Sequence, residues 1–100
     1  MNMFDKMNQL IPIKTCLKFR ENGDFLIVMN AESKIYYLND TARFVYENID
    51  GSNSIENIFD MLKKEFEITS DMEEEVKNDV VNIIRDFQWQ KIIELKKISA

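Results

Sequence analysis

One hundred residues, 45% of them apolar and 11% aromatic, suffice for one domain with a modest core and leave little for a second. Eighteen acids against thirteen bases give a net charge of -5. That argues against general affinity for nucleic acid, which rests on Lys and Arg meeting phosphates. With no histidine and the single cysteine Cys16, a His-based catalytic pair and an internal disulfide are both closed to the chain.

The first ten residues carry charges and no sustained apolar run, unlike a secretory signal. No later run nears the roughly 20 apolar residues of a membrane span, so the expected location is the cytoplasm, with no membrane partner. Residues 1–12 read as a loose, flexible arm ending at Pro12. From 13 to 20 the order Ile, Lys, Thr, Cys, Leu, Lys, Phe, Arg suits a strand. It would set Ile13, Leu17 and Phe19 on one face and Lys14, Lys18 and Arg20 on the other. Cys16 reads as a small apolar side chain within it. Asn22-Gly23 is a hairpin signal, because both residues tolerate the positive φ of a tight turn. Residues 25–29 are continuously apolar, the pattern of a central strand covered on both faces. A second turn over 30–33 leads to a third strand, 34–38, rich in β-branched and aromatic residues. Strands joined by such short turns form an antiparallel meander.

The period then changes. Asn39, Asp40 and Thr41 offer side-chain oxygens to a first helical turn, and Ala42, Val45 and Ile49 fall in phase over a short helix closed by Asp50-Gly51. Ser54 caps a second helix whose stripe is Ile55, Ile58, Phe59, Leu62 and Phe66. Ser70 to Glu73 is a capping-box pattern, with Asp71 and Glu74 offering a second register. The third helix carries Met72, Val76, Val80, Ile83, Ile84 and Phe87 along one side. Residues 88–100 fit either a continuation of that helix or a short strand at 92–95.

No catalytic chemistry is legible. The chain lacks HExxH and Cys-x-x-Cys spacings and has only two glycines, too few for a phosphate loop. Glu73-Glu74-Glu75 suits a solvated first helical turn better than a cation site. The expectation is a protein that is not an enzyme and needs no cofactor or metal.

Leu38-Asn39, Thr41-Ala42, Asp50-Gly51, Ser54-Ile55 and Asp79-Val80, in that order, resemble the PqqD-like proteins, the peptide-recognition elements of ribosomally made, modified natural products. The resemblance spans about residues 13–95, leaving 1–12 as an arm and 96–100 as a tail. One departure is the family's usual glycine after the third helix, where this chain reads Asp86-Phe-Gln-Trp-Gln90. The resemblance implies an α+β, winged helix-turn-helix-like fold, a three-stranded antiparallel sheet followed by three helices. It also implies a non-catalytic function. The domain would capture the leader segment of a precursor peptide as an added strand and present it to a modifying enzyme, such as a radical maturase or a leader peptidase.

Elementary physics supports the third strand as the receiving edge. The first edge is guarded by Pro12, Lys14, Lys18 and Arg20, the third by Lys34 alone. Strand addition gains main-chain hydrogen bonds while side-chain pockets set specificity. The candidate peptide-binding residues are therefore Lys34, Ile35, Tyr36, Tyr37 and Leu38, with Val76, Asp79, Val80, Ile83, Ile84 and Phe87 of the third helix. The apolar residues of that helix cover about half its circumference, more than a core stripe needs. Glu75, Asp79 and Asp86 fall beside Met72 and Ile83 as an acidic rim, suited to a leader with apolar anchors and at least one Lys or Arg. The same apolar residues also suit the core, and alternation turns only one of Tyr36 and Tyr37 toward an edge groove. Trp89 and residues 91–97 suit either a partner contact or the completion of the fold.

Two other readings remain. A winged helix also binds DNA, but six acids between Asp71 and Gln88 face only Lys77 and Arg85, so phosphate would repel this helix. A general protein–protein adaptor using the same edge is the other.

Overall fold

The computed structural model describes residues 3–15 and 18–97, without the side chains of Lys18 and Phe19. The expectations for Cys16, Leu17, the Phe19 and Lys18 faces and the tail beyond residue 97 lie outside the described residues. The chain runs α1 (Met3–Met7), β1 (Ile11–Lys14), β2 (Lys18–Asn22), β3 (Phe25–Met29), β4 (Ile35–Leu38), α2 (Asp40–Glu47) and α3 (Ile55–Glu65). A 3-10 turn (Ser70–Met72), α4 (Glu73–Trp89) and β5 (Ile93–Lys96) follow. The architecture is α+β, and none of the described helices is long and apolar enough to cross a membrane.

The meander forms as expected, a three-stranded antiparallel sheet in the order β2-β3-β4. Its first turn is displaced by one residue from the Asn22-Gly23 reading. Asn22 pairs with Phe25, so Gly23 and Asp24 form the loop, and Gly23 takes the positive φ of 63°. The first strand is shorter at its start and separate from residues 11–14. Those form β1, paired antiparallel with β5 from Ile11↔Lys96 to Lys14↔Ile93. The tail thus takes the strand alternative.

Residues 3–12 are not a loose arm. Phe4 and Met7 of α1 are buried in the core, and the Phe4 ring meets Phe59 of α3 edge-on at 5.1 Å. Pro12 is buried in β1. The carbonyls of Asn8 and Leu10 accept the N–H groups of Glu56 and Ile55, satisfying donors that the start of α3 cannot pair internally. The apolar residues at 4, 7 and 12 were too few to show a period, so only tertiary packing revealed them.

One face of the meander packs on the helices. Leu26, Val28 and Leu38 are buried there beside Val45, Tyr46, Val80, Ile84 and Phe87, and Tyr46 meets Phe87 edge-on at 5.7 Å. The other face is uncovered, contrary to the reading of 25–29 as a strand covered on both sides. Phe25 is 49% exposed, Ile35 55% and Tyr37 70%. No helix of the described chain crosses to that side to cover it.

Asn39 caps α2 by accepting the Ala42 N–H at 3.2 Å, and Ser54 and Asn57 form a reciprocal capping box on α3. The box expected at Ser70–Glu73 does not form. The 3-10 turn takes those residues, α4 starts with no side-chain cap, and Glu73 instead accepts from Lys63 of α3 at 2.9 Å. That ion pair holds the Glu73 carboxyl below its usual range and the Lys63 ammonium above its own. At the far end Lys91 adopts φ 59°, the left-handed conformation glycine usually supplies after a helix. It releases the chain into β5.

Candidate functional site

β4 is an edge strand among the described residues. Its hydrogen-bond phase follows from one contact, the Asn30 N–H donating to the Lys34 carbonyl at 3.0 Å. In an antiparallel ladder bonded pairs recur every second residue, so Val28 with Tyr36 and Leu26 with Leu38 also exchange bonds. The backbone N–H and C=O of Ile35 and Tyr37 consequently face away from β3, toward the open edge. Their side chains stand on the uncovered face of the sheet, while Lys34, Tyr36 and Leu38 share the face toward α4.

Alongside that edge runs α4, antiparallel to β4. Two hollows follow one another in the seam. The first, about 390 Å³, is bounded by Tyr37, Leu38 and Asn39, by Thr41 and Ala42 of α2, and by an α4 wall. That wall is Asp79, Ile83, Asp86 and Gln90, at spacings of four, three and four that set them on one helix face, with Asn82 and Phe87 beside them. The second hollow, about 400 Å³, lies at the start of β4. It is bounded by Lys34 and Tyr36, by Asn30 and Glu32, and by Gln88, Trp89 and Lys91.

Asn30 fixes the two walls relative to each other. It is 2% exposed, and its amide donates to the Gln90 carbonyl at 2.7 Å while its oxygen accepts the Glu32 and Lys34 N–H groups at 2.9 and 3.0 Å. The turn before β4 and the end of α4 are thus tied through a single side chain. The Oε1 of Gln90 is buried in the cleft wall with no donor among the described residues. A buried acceptor of this kind is costly to leave unmet.

The residues singled out from sequence divide. Lys34, Tyr36, Tyr37 and Leu38 line the seam from the β4 side, and Ile35 contributes its edge-facing backbone. Asp79, the half-buried Ile83 and Phe87 line it from α4. Val76, Val80 and Ile84 border neither hollow and belong to the core, whereas Leu38 and Phe87, equally buried, form the floor of the first hollow. On the expected rim, Asp86 joins Asp79 in the cleft, whereas Glu75 and Met72 do not border it. Sequence reasoning missed Asn30, Asn39, Thr41, Asn82 and Gln90. Asn39 and Thr41 carried a signal, but only as residues of a helix start. Trp89, 87% exposed, borders the second hollow.

The arrangement offers main-chain hydrogen bonds on one wall and alternating charge and apolar surface on the other. Among the described residues that border the cleft, the hydrogen bonds and ion pairs join no nucleophile to a base. No group of three His, Cys, Asp or Glu side chains among the described residues could hold a metal ion.

Residues 26–93 match the family model described as coenzyme PQQ synthesis protein D. The match runs from β3 through α4 to the start of β5 and so includes both walls of the cleft. Neither a curated protein nor a solved structure matches the chain.

Proposed function

Since the chain belongs to the PqqD family, we propose that it is a non-catalytic peptide-binding protein of ribosomal natural-product biosynthesis. It captures the leader segment of a precursor peptide as a strand added to β4 and presents it to a modifying enzyme in the cytoplasm. The observation that carries this reading is the coincidence of an open strand edge with a two-walled cleft. The outward backbone groups of Ile35 and Tyr37 supply the ladder, and the half-buried Ile83, over a floor of Leu38 and Phe87, supplies an apolar anchor site beside it. Asp79 and Asp86 suit a Lys or Arg of the leader. The order of sheet and helices is read as winged-helix-like, with α4 in the place of a recognition helix. Its exposed Glu74, Glu75, Asp79 and Asp86 oppose a phosphate backbone and favour a peptide there.

The test is a titration of the pure protein with synthetic leader from the nearest small open reading frame, followed by backbone amide shifts. Saturable shifts at Ile35, Tyr37, Ile83 and Asp86 are expected. A folded protein that shows none of them with that peptide would overturn leader capture and leave the adaptor reading.

A further inference from the structure

The two hollows of the cleft differ in charge, and this bears on which peptides fit; the argument rests on strand capture at β4. Asp79 and Asp86 border the first hollow, and neither carboxylate has an ion pair among the described residues. In the second hollow Lys91 is paired with Glu32 at 3.2 Å, while Lys34 has no ion pair among the described residues. Asp79 therefore lies at the Leu38 end, Asp86 about 10 Å further along α4 beyond Ile83, and the Lys34 end carries an uncompensated ammonium. The half-buried Ile83 borders the first hollow over a floor of buried Leu38 and Phe87. The buried, unpaired Gln90 Oε1 marks the same wall as awaiting a donor.

A strand joining β4 antiparallel, as β3 does on the opposite side, would enter beside Leu38 and leave beside Lys34. The α4 wall from Asp79 to Trp89 extends about 15 Å at 1.5 Å per residue. Four steps of an extended strand cover about 13 Å, and every second side chain faces the same way. We infer that the cleft selects peptides by the order of their charges. The fitting ligand places a Lys or Arg two residues before an apolar anchor and an Asp or Glu two residues after it. Asp79 then meets the base, the half-buried Ile83 the anchor, and Lys34 the acid.

Two capped peptides of identical composition test this, Ser-Lys-Thr-Leu-Thr-Glu-Ser and its charge-swapped twin Ser-Glu-Thr-Leu-Thr-Lys-Ser. Both are titrated into the full chain at low salt and followed by amide shifts. The first should bind about fivefold or more tighter, since two exposed attractive pairs become two repulsive ones in the twin. The preference should shrink as salt is raised. In the double variant Asp79→Lys with Lys34→Glu, checked for an unchanged circular dichroism spectrum, the preference should reverse. Equal affinities with shifts at Ile35 and Tyr37 would overturn the charge order and leave strand capture standing. A preference that persists unreversed in the folded double variant would also overturn it. Absence of binding by both peptides at millimolar concentration would overturn it too, while strand capture is decided separately by the natural leader.

Discussion

Neighbouring residues of β4 should respond in opposite ways to proline. The Tyr37 N–H faces the open edge, so Tyr37→Pro removes a donor the folded chain does not use internally. The variant should keep its fold by circular dichroism and lose peptide binding at least tenfold in a shift titration. The Tyr36 N–H bonds to β3, and Tyr36→Pro should cost stability, about 1–3 kcal/mol in urea denaturation. Equal stabilities would show that the ladder phase is wrong. Asn30 is the other decisive single residue. Asn30→Ala leaves the Gln90 carbonyl and two N–H groups of the turn without their partner. It should cost about 1–3 kcal/mol and, by letting α4 move from β4, also weaken peptide binding. Its role was not legible in the sequence, where Asn30 opens an ordinary polar turn. The contact with Gln90 joins residues 60 apart in the chain.

At the scale of elements, α4 divides its apolar residues between two tasks. Ile84 is fully buried and its truncation to Ala should cost about 2–5 kcal/mol. Ile83, half-buried in the cleft wall, should cost less stability when truncated but more peptide affinity. Thermal melts and titrations of both variants check the division. The sequence showed an apolar arc wider than a core stripe needs. Which margin faces the core depends on how the helix is rotated against the sheet, and that is set by contacts with α1, α2 and β5. The short α1 belongs to the same packing. Phe4→Ala removes a ring buried against Phe59, with the Lys77 ammonium 5.4 Å from its centroid. It should cost about 3–5 kcal/mol, whereas a dispensable arm would show no change.

For the molecule as a whole, stability should fall on the acid side. Hydrogen bonds from Asn53 and Ser52 hold the Asp50 carboxyl below its usual range, Thr69 does the same for Asp71, and Lys63 for Glu73. Each folded-state pKa is depressed, so the unfolded chain binds more protons in acid. The contribution is complete above the ordinary carboxyl pKa and is lost as pH falls through the lowered values. Lys63, whose pKa is raised, contributes below its ordinary value of 10.5 and loses that contribution only as pH rises past it. The melting temperature should therefore drop between pH 6 and pH 3, and the drop should be smaller in Lys63→Gln. An equal drop in both would remove the Lys63–Glu73 pair as a cause.

Although Phe66 and Met72, expected on stripes, are 42% and 43% exposed, the meander, the caps at Asn39 and Ser54 and most of the helix stripes were legible in the chain alone. Each rests on neighbours a few residues apart, where backbone preference and periodicity act directly. That residues 3–12 join the fold and that β5 closes on β1 emerged from packing alone. Packing also decided that one sheet face stays open and that Asp79, Ile83 and Asp86 meet Leu38 across a cleft. Those outcomes depend on contacts between residues far apart in the chain, whose partners are chosen by packing all the elements at once.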